Sequence, residues 1–196
     1  AAALVAQRNG IKVAHVEAGL RSHDRTMPEE INRLLTDQIS DYLFVTEKSA
    51  LNNLVKENIA DDKVFMVGNC MIDSLVFYQS KTEDQAILDK YNLQRKSYIL
   101  MTIHRPSNVD HPKELGRVLE LIEKISQVQK VIFPLHPRTK NKLQLYGLFN
   151  RLSQMENVVL TEPLPYLEFI NLMRFSSMLL TDSGGIQEES TFLGIP

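Results

Sequence analysis

A chain of 196 residues, of which 43% are hydrophobic and 23% are charged, is long enough to bury a core as one large domain or two small ones. Its formal net charge of −2 excludes the basic surface that holds nucleic acid or an anionic membrane. Its one cysteine, Cys70, excludes an internal disulfide and a cysteine-built metal site. No apolar run is long enough to span a bilayer. We therefore expect a cytoplasmic protein.

Short apolar runs along the chain predict seven β-strands. They lie at 13–16, 42–45, 64–67, 98–103, 131–135, 158–160 and 178–180. Most of these runs are followed by an amphipathic stretch, which is typical of parallel strands joined by helices that cover both faces of a sheet. The sequence therefore predicts an α/β fold.

Two of the connecting helices can be predicted from helical spacing of apolar residues. One follows Pro28, with apolar residues at 31, 34, 35 and 39, and the other has them at 115, 118, 119, 122 and 125. We expect both helices to pack on a sheet.

The strand pattern is interrupted between Asp73 and about Lys96, where the sequence predicts a helix over 74–81, a polar stretch over 82–85 and a second short amphipathic segment. A domain junction is expected there. The predicted organisation is a first Rossmann-like domain in 1–75, a connection in 76–96 and a second Rossmann-like domain in 97–196, with three and four strands respectively.

Both ends of the sequence are unusual for a complete α/β protein. The chain opens inside a helical pattern without a starting Met, and it stops at Pro196, where the next strand would be expected. We therefore expect a fragment that lacks sequence at both ends.

Two carboxylates of the first predicted domain lie where an open α/β sheet binds its ligands. Glu17 directly follows the first apolar strand and Glu29 begins the next helix, so both are candidate acid or base groups facing one crevice. Each has a structural alternative. Glu17 would otherwise be a buried partner of Arg21 or Arg33, and Glu29 would close a capping box with Thr26.

Two strand ends of the second predicted domain carry a histidine and an arginine. His104 can donate to a phosphate or assist proton transfer, and Arg105 can pair with an anion. His136 and Arg138 follow the next strand. The alternatives are a histidine that only makes structural hydrogen bonds and a helix that starts at Pro137 and Arg138. Together the two strand ends predict a cationic crevice that suits a diphosphate.

The last apolar run leads through a glycine-rich turn into a helix. Its candidate anion-binding residues are Ser183, Gly184 and Gly185. Free backbone N–H groups and the positive end of the helix favour a phosphate there. Glu188 and Glu189 lie in the first turns, where one carboxylate can accept hydrogen bonds from ribose hydroxyls. The alternative is an ordinary N-cap formed by Asp182 or Ser183.

Five segments spread along nearly the whole chain occur in one combination: HVEAGLRS at 15–22, PEEINR at 28–33, GNCMIDSL at 68–75, HR at 104–105 and TDSGGIQEES at 181–190. This combination resembles the non-hydrolysing UDP-N-acetylglucosamine 2-epimerases. The resemblance implies two Rossmann-like domains facing across a cleft, as in GT-B glycosyltransferases. It also implies interconversion of UDP-N-acetylglucosamine and UDP-N-acetylmannosamine through elimination of UDP to 2-acetamidoglucal and its re-addition, with no redox cofactor and no metal ion.

The resemblance assigns roles residue by residue. Glu17 and Glu29 match carboxylates that do the acid and base work, and His104 matches a histidine important for activity near the diphosphate. The residues predicted to bind UDP are Arg105, His136, Arg138, Ser183, Gly184, Gly185 and Glu189, with Glu189 on the ribose. A UDP-sugar is the expected partner, and a homodimer is expected for the full-length protein.

Parts of the family pattern are absent from this chain. The first strand with its glycine-rich turn, a further catalytic Asp before HVEAGLRS and the segment after Pro196 do not occur, so the chain alone is expected to be inactive. The alternatives are a GT-B glycosyltransferase, an epimerase for a modified UDP-sugar such as an acetamido-uronic acid, and a nucleotide-sugar-binding regulator without catalysis. Glu17 and Glu29 favour an epimerase.

Overall fold

A computed structural model of the chain describes residues 1–79 and 85–196, without the side chain of residue 79. The chain divides into two compact units, Ala1–Asp73 and Ser74–Pro196, called the first and second unit below. The end of the predicted helix over 74–81 and most of the predicted polar stretch over 82–85 lie outside the described residues.

The first unit is built on a three-stranded parallel sheet. Its strands are β1 (Ala14–Val16), β2 (Tyr42–Val45) and β3 (Val64–Met66), with β2 in the centre. Its helices are α1 (Ala2–Arg8), α2 (Pro28–Ile39) and α3 (Lys48–Lys56), and a 3₁₀ turn at Asp61–Lys63 precedes β3. The next helix, α4 (Cys70–Gln79), begins in the first unit and ends in the second. Leu43 and Val45 of β2 pack with Ala50 and Leu54 of α3 in a small buried core. Helix α3 thus covers the buried apolar residues of the central strand.

The second unit is built on a four-stranded parallel sheet. Its strands are β4 (Tyr98–Thr102), β5 (Lys130–Pro134), β6 (Val158–Thr161) and β7 (Met178–Thr181). Its helices are α5 (Gln85–Lys90), α6 (Pro106–Val109), α7 (Pro112–Ser126), α8 (Pro137–Leu145), α9 (Phe149–Ser153), α10 (Tyr166–Phe175) and α11 (Gly184–Phe192). Leu115, Leu119 and Ile122 recur along α7 and pack with β4 and β5 in the core.

The strand order of the second sheet creates a switch point. The order is β6-β5-β4-β7, so the chain first runs from β4 outward to β6 and then returns to add β7 on the other side of β4. Thr102 is in register with Thr181, and their hydroxyl oxygens lie 2.8 Å apart. The loops that follow β4 and β7 therefore begin side by side, which is where open parallel sheets bind ligands.

The predicted fold class is confirmed, since each of the seven predicted strands forms and both sheets are wholly parallel. The predicted helices after Pro28 and around Leu115 correspond to α2 and α7. The predicted domain bounds stay a prediction; α5 lies within the predicted connection, and its Ile87 and Leu88 are buried. Within the described ranges 1–79 and 85–196, none of the helices has the length and apolar content of a membrane span.

Of the glycines of the first unit, at positions 10, 19 and 68, only Gly19 lies close to another described segment. Its φ is +80°, and a Cβ built on it would lie 2.4 Å from the carbonyl oxygen of Ala50 in α3. No side chain fits at that distance, and the left-handed backbone disfavours other residues as well. The loop after β1 is thereby pressed against α3 at a position that requires glycine.

We expect Gly19→Ala to lower the free energy of unfolding of the first unit more than Gly10→Ala does. Gly10 also has a positive φ, +71°, but nothing lies within 4 Å of the position that a Cβ on it would take, so it serves as the matched control. The left-handed backbone costs about 1–2 kcal/mol in both variants, and the clash adds roughly 1–3 kcal/mol at Gly19 alone. Urea unfolding of both variants beside the parent chain measures the difference. Equal losses would contradict the close approach.

Candidate functional site

The loop after β1 is held by a buried carboxylate on α2. Asp37, 1% exposed, accepts hydrogen bonds from His15 Nδ1, from the Gly19 backbone N–H at 3.0 Å and from Arg21 Nη2 at 2.6 Å. Burial by itself would raise the pKa of Asp37, but these three hydrogen bonds outweigh it and lower the pKa. The residues on both sides of Glu17 are thus fixed by one ionised group.

Glu17 itself is not a partner of either nearby arginine. Arg21 is paired with Asp37 and also with Glu57, at 2.6 Å in each case, and Arg33 is paired with Glu30 at 2.8 Å. Glu17 is half-buried and has a φ of +66°, and within the described residues its carboxylate has no hydrogen-bond or ion-pair partner. The structural alternative for Glu17 is therefore not realised, and its carboxylate is available to a ligand.

Glu30 fixes the turn that leads into α2. The carboxylate is 2% exposed and accepts hydrogen bonds from the backbone N–H groups of Ser22 and His23, both at 3.0 Å, besides its ion pair with Arg33. Burial alone would raise the pKa of Glu30, but these donors outweigh it and lower the pKa to about 2. Glu30 thus stays ionised and structural, one residue after Glu29.

Glu29 lies in the first turn of α2 and is exposed. The capping box considered for it does not form, because the Thr26 hydroxyl donates to Asp24 and the N-cap residue Met27 makes no side-chain hydrogen bond. The part of the chain that the structure describes offers the Glu29 carboxylate no hydrogen-bond or ion-pair partner. Like the carboxylate of Glu17, it is therefore available to a ligand.

Asp182 joins the ends of β4 and β7 in the second unit. Its carboxylate accepts hydrogen bonds from the backbone N–H groups of His104 at 3.0 Å and Arg105 at 2.8 Å, and from Asn108 Nδ2 at 2.9 Å. The sequence interpretation missed this role and treated Asp182 as a possible N-cap of the following helix. Its position directly after β7 was the available signal, but the partner residues are more than seventy positions away.

The two strand-end histidines come together. The rings of His104 and His136 are stacked, with centroids 5.1 Å apart and an angle of 29° between their planes. His104 Nδ1 lies 3.2 Å from Asp182 Oδ1, and His136 Nδ1 accepts the backbone N–H of Arg138 at 3.1 Å at the start of α8. The expected crevice therefore has two imidazoles at its β4 and β5 side.

The glycine-rich turn lies beside Arg105. Arg105 Nε donates to the carbonyl oxygen of Asp182 at 2.5 Å, and its Nη2 lies 3.9 Å from the position that a Cβ on Gly184 would take. Helix α11 begins at Gly184, and its N-cap residue Ser183 makes no side-chain capping hydrogen bond. The ordinary N-cap considered for this turn is thus not formed. The first N–H groups of α11, including that of Gly185, are left without a side-chain cap.

Two of the residues predicted to bind UDP, Arg138 and Glu189, are paired with other side chains. Arg138 makes two hydrogen bonds to the Asp110 carboxylate, at 3.0 and 2.5 Å. Glu189, 7% exposed, accepts the Tyr166 hydroxyl at 2.9 Å. Burial raises the pKa of Glu189 although the Tyr166 hydrogen bond opposes it, and burial together with Glu189 raises the pKa of Tyr166 to about 12. A ligand that uses either residue therefore meets a side chain that already has a protein partner.

The two units carry different chemistry. The first presents the carboxylates of Glu17 and Glu29, which have no partner among the described residues, and such groups suit proton transfer. The second presents two imidazoles, a guanidinium and a helix N-terminus, which suit an anion. Among residues 1–79 and 85–196, no three His, Cys, Asp or Glu side chains are placed to hold a metal ion.

Comparison with known proteins finds similar proteins that match this chain over its whole length. A family model described as UDP-N-acetylglucosamine 2-epimerase matches residues 1–196. UDP-N-acetylglucosamine 2-epimerase of Methanococcus maripaludis is 42% identical over all of this chain and 55% of its own length. UDP-2,3-diacetamido-2,3-dideoxy-D-glucuronate 2-epimerase of Pseudomonas aeruginosa is 40% identical over all of this chain and 53% of its own length.

A solved structure shows the same likeness. The crystal structure of Methanocaldococcus jannaschii UDP-GlcNAc 2-epimerase in complex with UDP-GlcNAc and UDP has a TM-score of 0.89 at 44% identity, over 99% of this chain and 54% of that one. The chain thus spans about half the length of the relatives it matches. Because the family model matches all of its residues, the chain belongs to the UDP-N-acetylglucosamine 2-epimerase family.

Proposed function

We propose that the whole protein interconverts UDP-N-acetylglucosamine and UDP-N-acetylmannosamine, with this chain supplying the diphosphate site and two acid–base groups. The observation that carries the proposal is the cationic cluster at the ends of β4 and β7, where His104 and Arg105 lie beside the uncapped start of α11. The relative from M. jannaschii, 44% identical to this chain, was solved in complex with UDP-GlcNAc and UDP.

The second unit is proposed to bind the nucleotide. Backbone N–H groups at the start of α11 and the Arg105 guanidinium offer hydrogen bonds and positive charge to the diphosphate. The residues proposed for UDP are Arg105, His136, Arg138, Ser183, Gly184, Gly185 and Glu189. Glu189 would accept from ribose hydroxyls in place of the Tyr166 hydroxyl, and Arg138 would exchange Asp110 for the nucleotide. The diphosphate thus anchors the substrate.

The first unit is proposed to move the proton at C2 of the sugar. A base removes that proton, the C1–O bond to UDP breaks, and a C1=C2 double bond forms in 2-acetamidoglucal. The return of UDP to C1 and of a proton to the opposite face of C2 gives the epimer. An ion pair with a cation makes a carboxylate a weaker base. Glu17 and Glu29 suit these proton transfers because neither is in such a pair.

An epimerase for a modified UDP-sugar is a second candidate. The specific observation in its favour is the 40% identity to the P. aeruginosa 2-epimerase for UDP-2,3-diacetamido-2,3-dideoxy-D-glucuronate, close to the 42% found for the M. maripaludis enzyme. Assays with both sugars side by side distinguish the two. The proposal further includes a cytoplasmic location, expected from the composition, and a homodimer of the full-length protein, which the family resemblance implies. Exchange of the C2 proton would exclude a GT-B glycosyltransferase and a regulator without catalysis.

UDP binding is expected to weaken roughly tenfold to a hundredfold in Arg105→Ala, since one or two charge-assisted hydrogen bonds to the diphosphate are lost. Arg151→Ala is the matched control, because Arg151 lies in α9 and pairs with Glu123 at 2.7 Å. Isothermal titration calorimetry of this chain with UDP measures both. Equal affinities for the two variants would show that the nucleotide is not held at the β4 strand end.

Deuterium incorporation at C2 tests the proposed proton transfer. When the whole protein is incubated with UDP-N-acetylglucosamine in deuterium oxide, we expect Glu17→Gln and Glu29→Gln each to slow incorporation roughly a hundredfold to ten-thousandfold, with UDP affinity unchanged. Asp62→Asn, an exposed carboxylate of the 3₁₀ turn before β3, is the control. Incorporation at the parent rate in both Gln variants would exclude the two glutamates from the reaction.

A further inference from the structure

Glu17 has a backbone conformation that its residue type disfavours. Its φ is +66°, in the left-handed region, and such a conformation persists only where the surrounding structure enforces it. One contribution comes from β2. Val16 is in register with Phe44, and the backbone N–H of Ala18 donates to the carbonyl oxygen of the same Phe44 at 3.0 Å. Both neighbours of Glu17 are therefore held by one residue of the central strand.

A second contribution comes from Asp37 of α2. Its Oδ1 is hydrogen-bonded to His15 Nδ1, and its Oδ2 accepts the backbone N–H of Gly19 at 3.0 Å. From α3, Asn53 Nδ2 donates to the carbonyl oxygen of Gly19 at 3.0 Å. Asp37 thus joins the residue two positions before Glu17 to the residue two positions after it, which restricts the backbone between them.

Asp37 also occupies the guanidinium that lies four residues after Glu17. Arg21 Nη2 donates to Asp37 at 2.6 Å, and the same guanidinium donates to Glu57 from Nε at 2.8 Å and from Nη2 at 2.6 Å. An ion pair between Arg21 and Glu17 would stabilise the ionised Glu17 carboxylate and make it a weaker base. With Asp37 in place, the charge of Arg21 is neutralised by other residues of the first unit.

We infer that Asp37 is a positioning residue for the proposed proton transfer at C2, because it holds the strained backbone of Glu17 and keeps Arg21 from the Glu17 carboxylate. The inference rests on the proposed function, in which Glu17 is an acid or base group. Asp37 is 1% exposed and its two oxygens already take part in three hydrogen bonds, so it does not touch the sugar. It acts through the place and the surroundings of Glu17.

Asp37→Asn and Asp41→Asn form a matched pair of variants. Asp41 accepts the backbone N–H of Val13 at 2.8 Å and Gln7 Nε2 at 2.7 Å, so it holds the start of β1 as Asp37 holds the loop after that strand. An amide has one oxygen and cannot replace both carboxylate oxygens of Asp37. In the whole protein, we expect Asp37→Asn to slow deuterium incorporation at C2 roughly tenfold to a hundredfold and Asp41→Asn less than about twofold. Equal rates in the two variants would overturn the inference.

A double variant tests whether Asp37 acts through Glu17. In a Glu17→Gln background, we expect Asp37→Asn to slow incorporation by less than about twofold more, since the group that Asp37 positions is already removed. A loss of stability that is unrelated to Glu17 would instead multiply the two effects. Multiplied effects would therefore refute the role assigned to Asp37.

Glu17→Gly and Glu17→Ala test the backbone strain without any change at Asp37. Glycine adopts a positive φ at little cost, whereas alanine keeps the Cβ. We expect the unfolding equilibrium constant of Glu17→Ala, measured by urea unfolding, to exceed that of Glu17→Gly about threefold to tenfold. A constant for Glu17→Ala equal to or below that for Glu17→Gly would show that no strain is held there, and would overturn the inference.

The parent protein and Asp37→Asn together separate this inference from the proposed function. If the parent exchanges no proton at C2, the proposed function fails and the inference fails with it. If the parent exchanges this proton and Asp37→Asn does so at the same rate, the inference alone fails. We expect UDP affinity to be unchanged in Asp37→Asn, because the nucleotide is proposed to bind the second unit. A fall in UDP affinity as large as the fall in exchange rate would contradict a role through Glu17.

Discussion

The pairing of β7 with β4 is the constraint from which the site in the second unit follows. Because β7 adds to the free side of β4, the loops that begin after Thr102 and Thr181 start next to each other. Asp182 then closes the gap by accepting the backbone N–H groups of His104 and Arg105. Without this strand order, the histidine, the arginine and the glycine-rich helix start would lie at separate places along the sheet edge.

In the first unit, the loop after β1 is likewise held by a buried aspartate, Asp37. Asp37 accepts from the backbone of Gly19 and from two side chains, and so fixes the loop in which Glu17 has a positive φ. Arg21 and Arg33 are neutralised by Asp37, Glu57 and Glu30, which leaves Glu17 without a cation. In both units, residues outside the proposed reaction thus determine where the reacting side chains lie and which charge surrounds them.

Local patterns were sufficient to predict much of this. Parallel strands must be apolar and end at one edge, so the runs before Glu17, His104 and Ser183 indicated both the sheets and the positions of the candidates. Pairings between distant residues could not be predicted, because nothing in the local sequence specifies them. Arg138 pairs with Asp110, 28 positions away, and Glu189 accepts from Tyr166, 23 positions away.

A crystal structure of this chain with bound UDP tests the central claim most directly. The account predicts the diphosphate against the backbone N–H groups of Gly184 and Gly185, with His104 and Arg105 within hydrogen-bonding distance. UDP bound away from the ends of β4 and β7, with the start of α11 unoccupied, would contradict it.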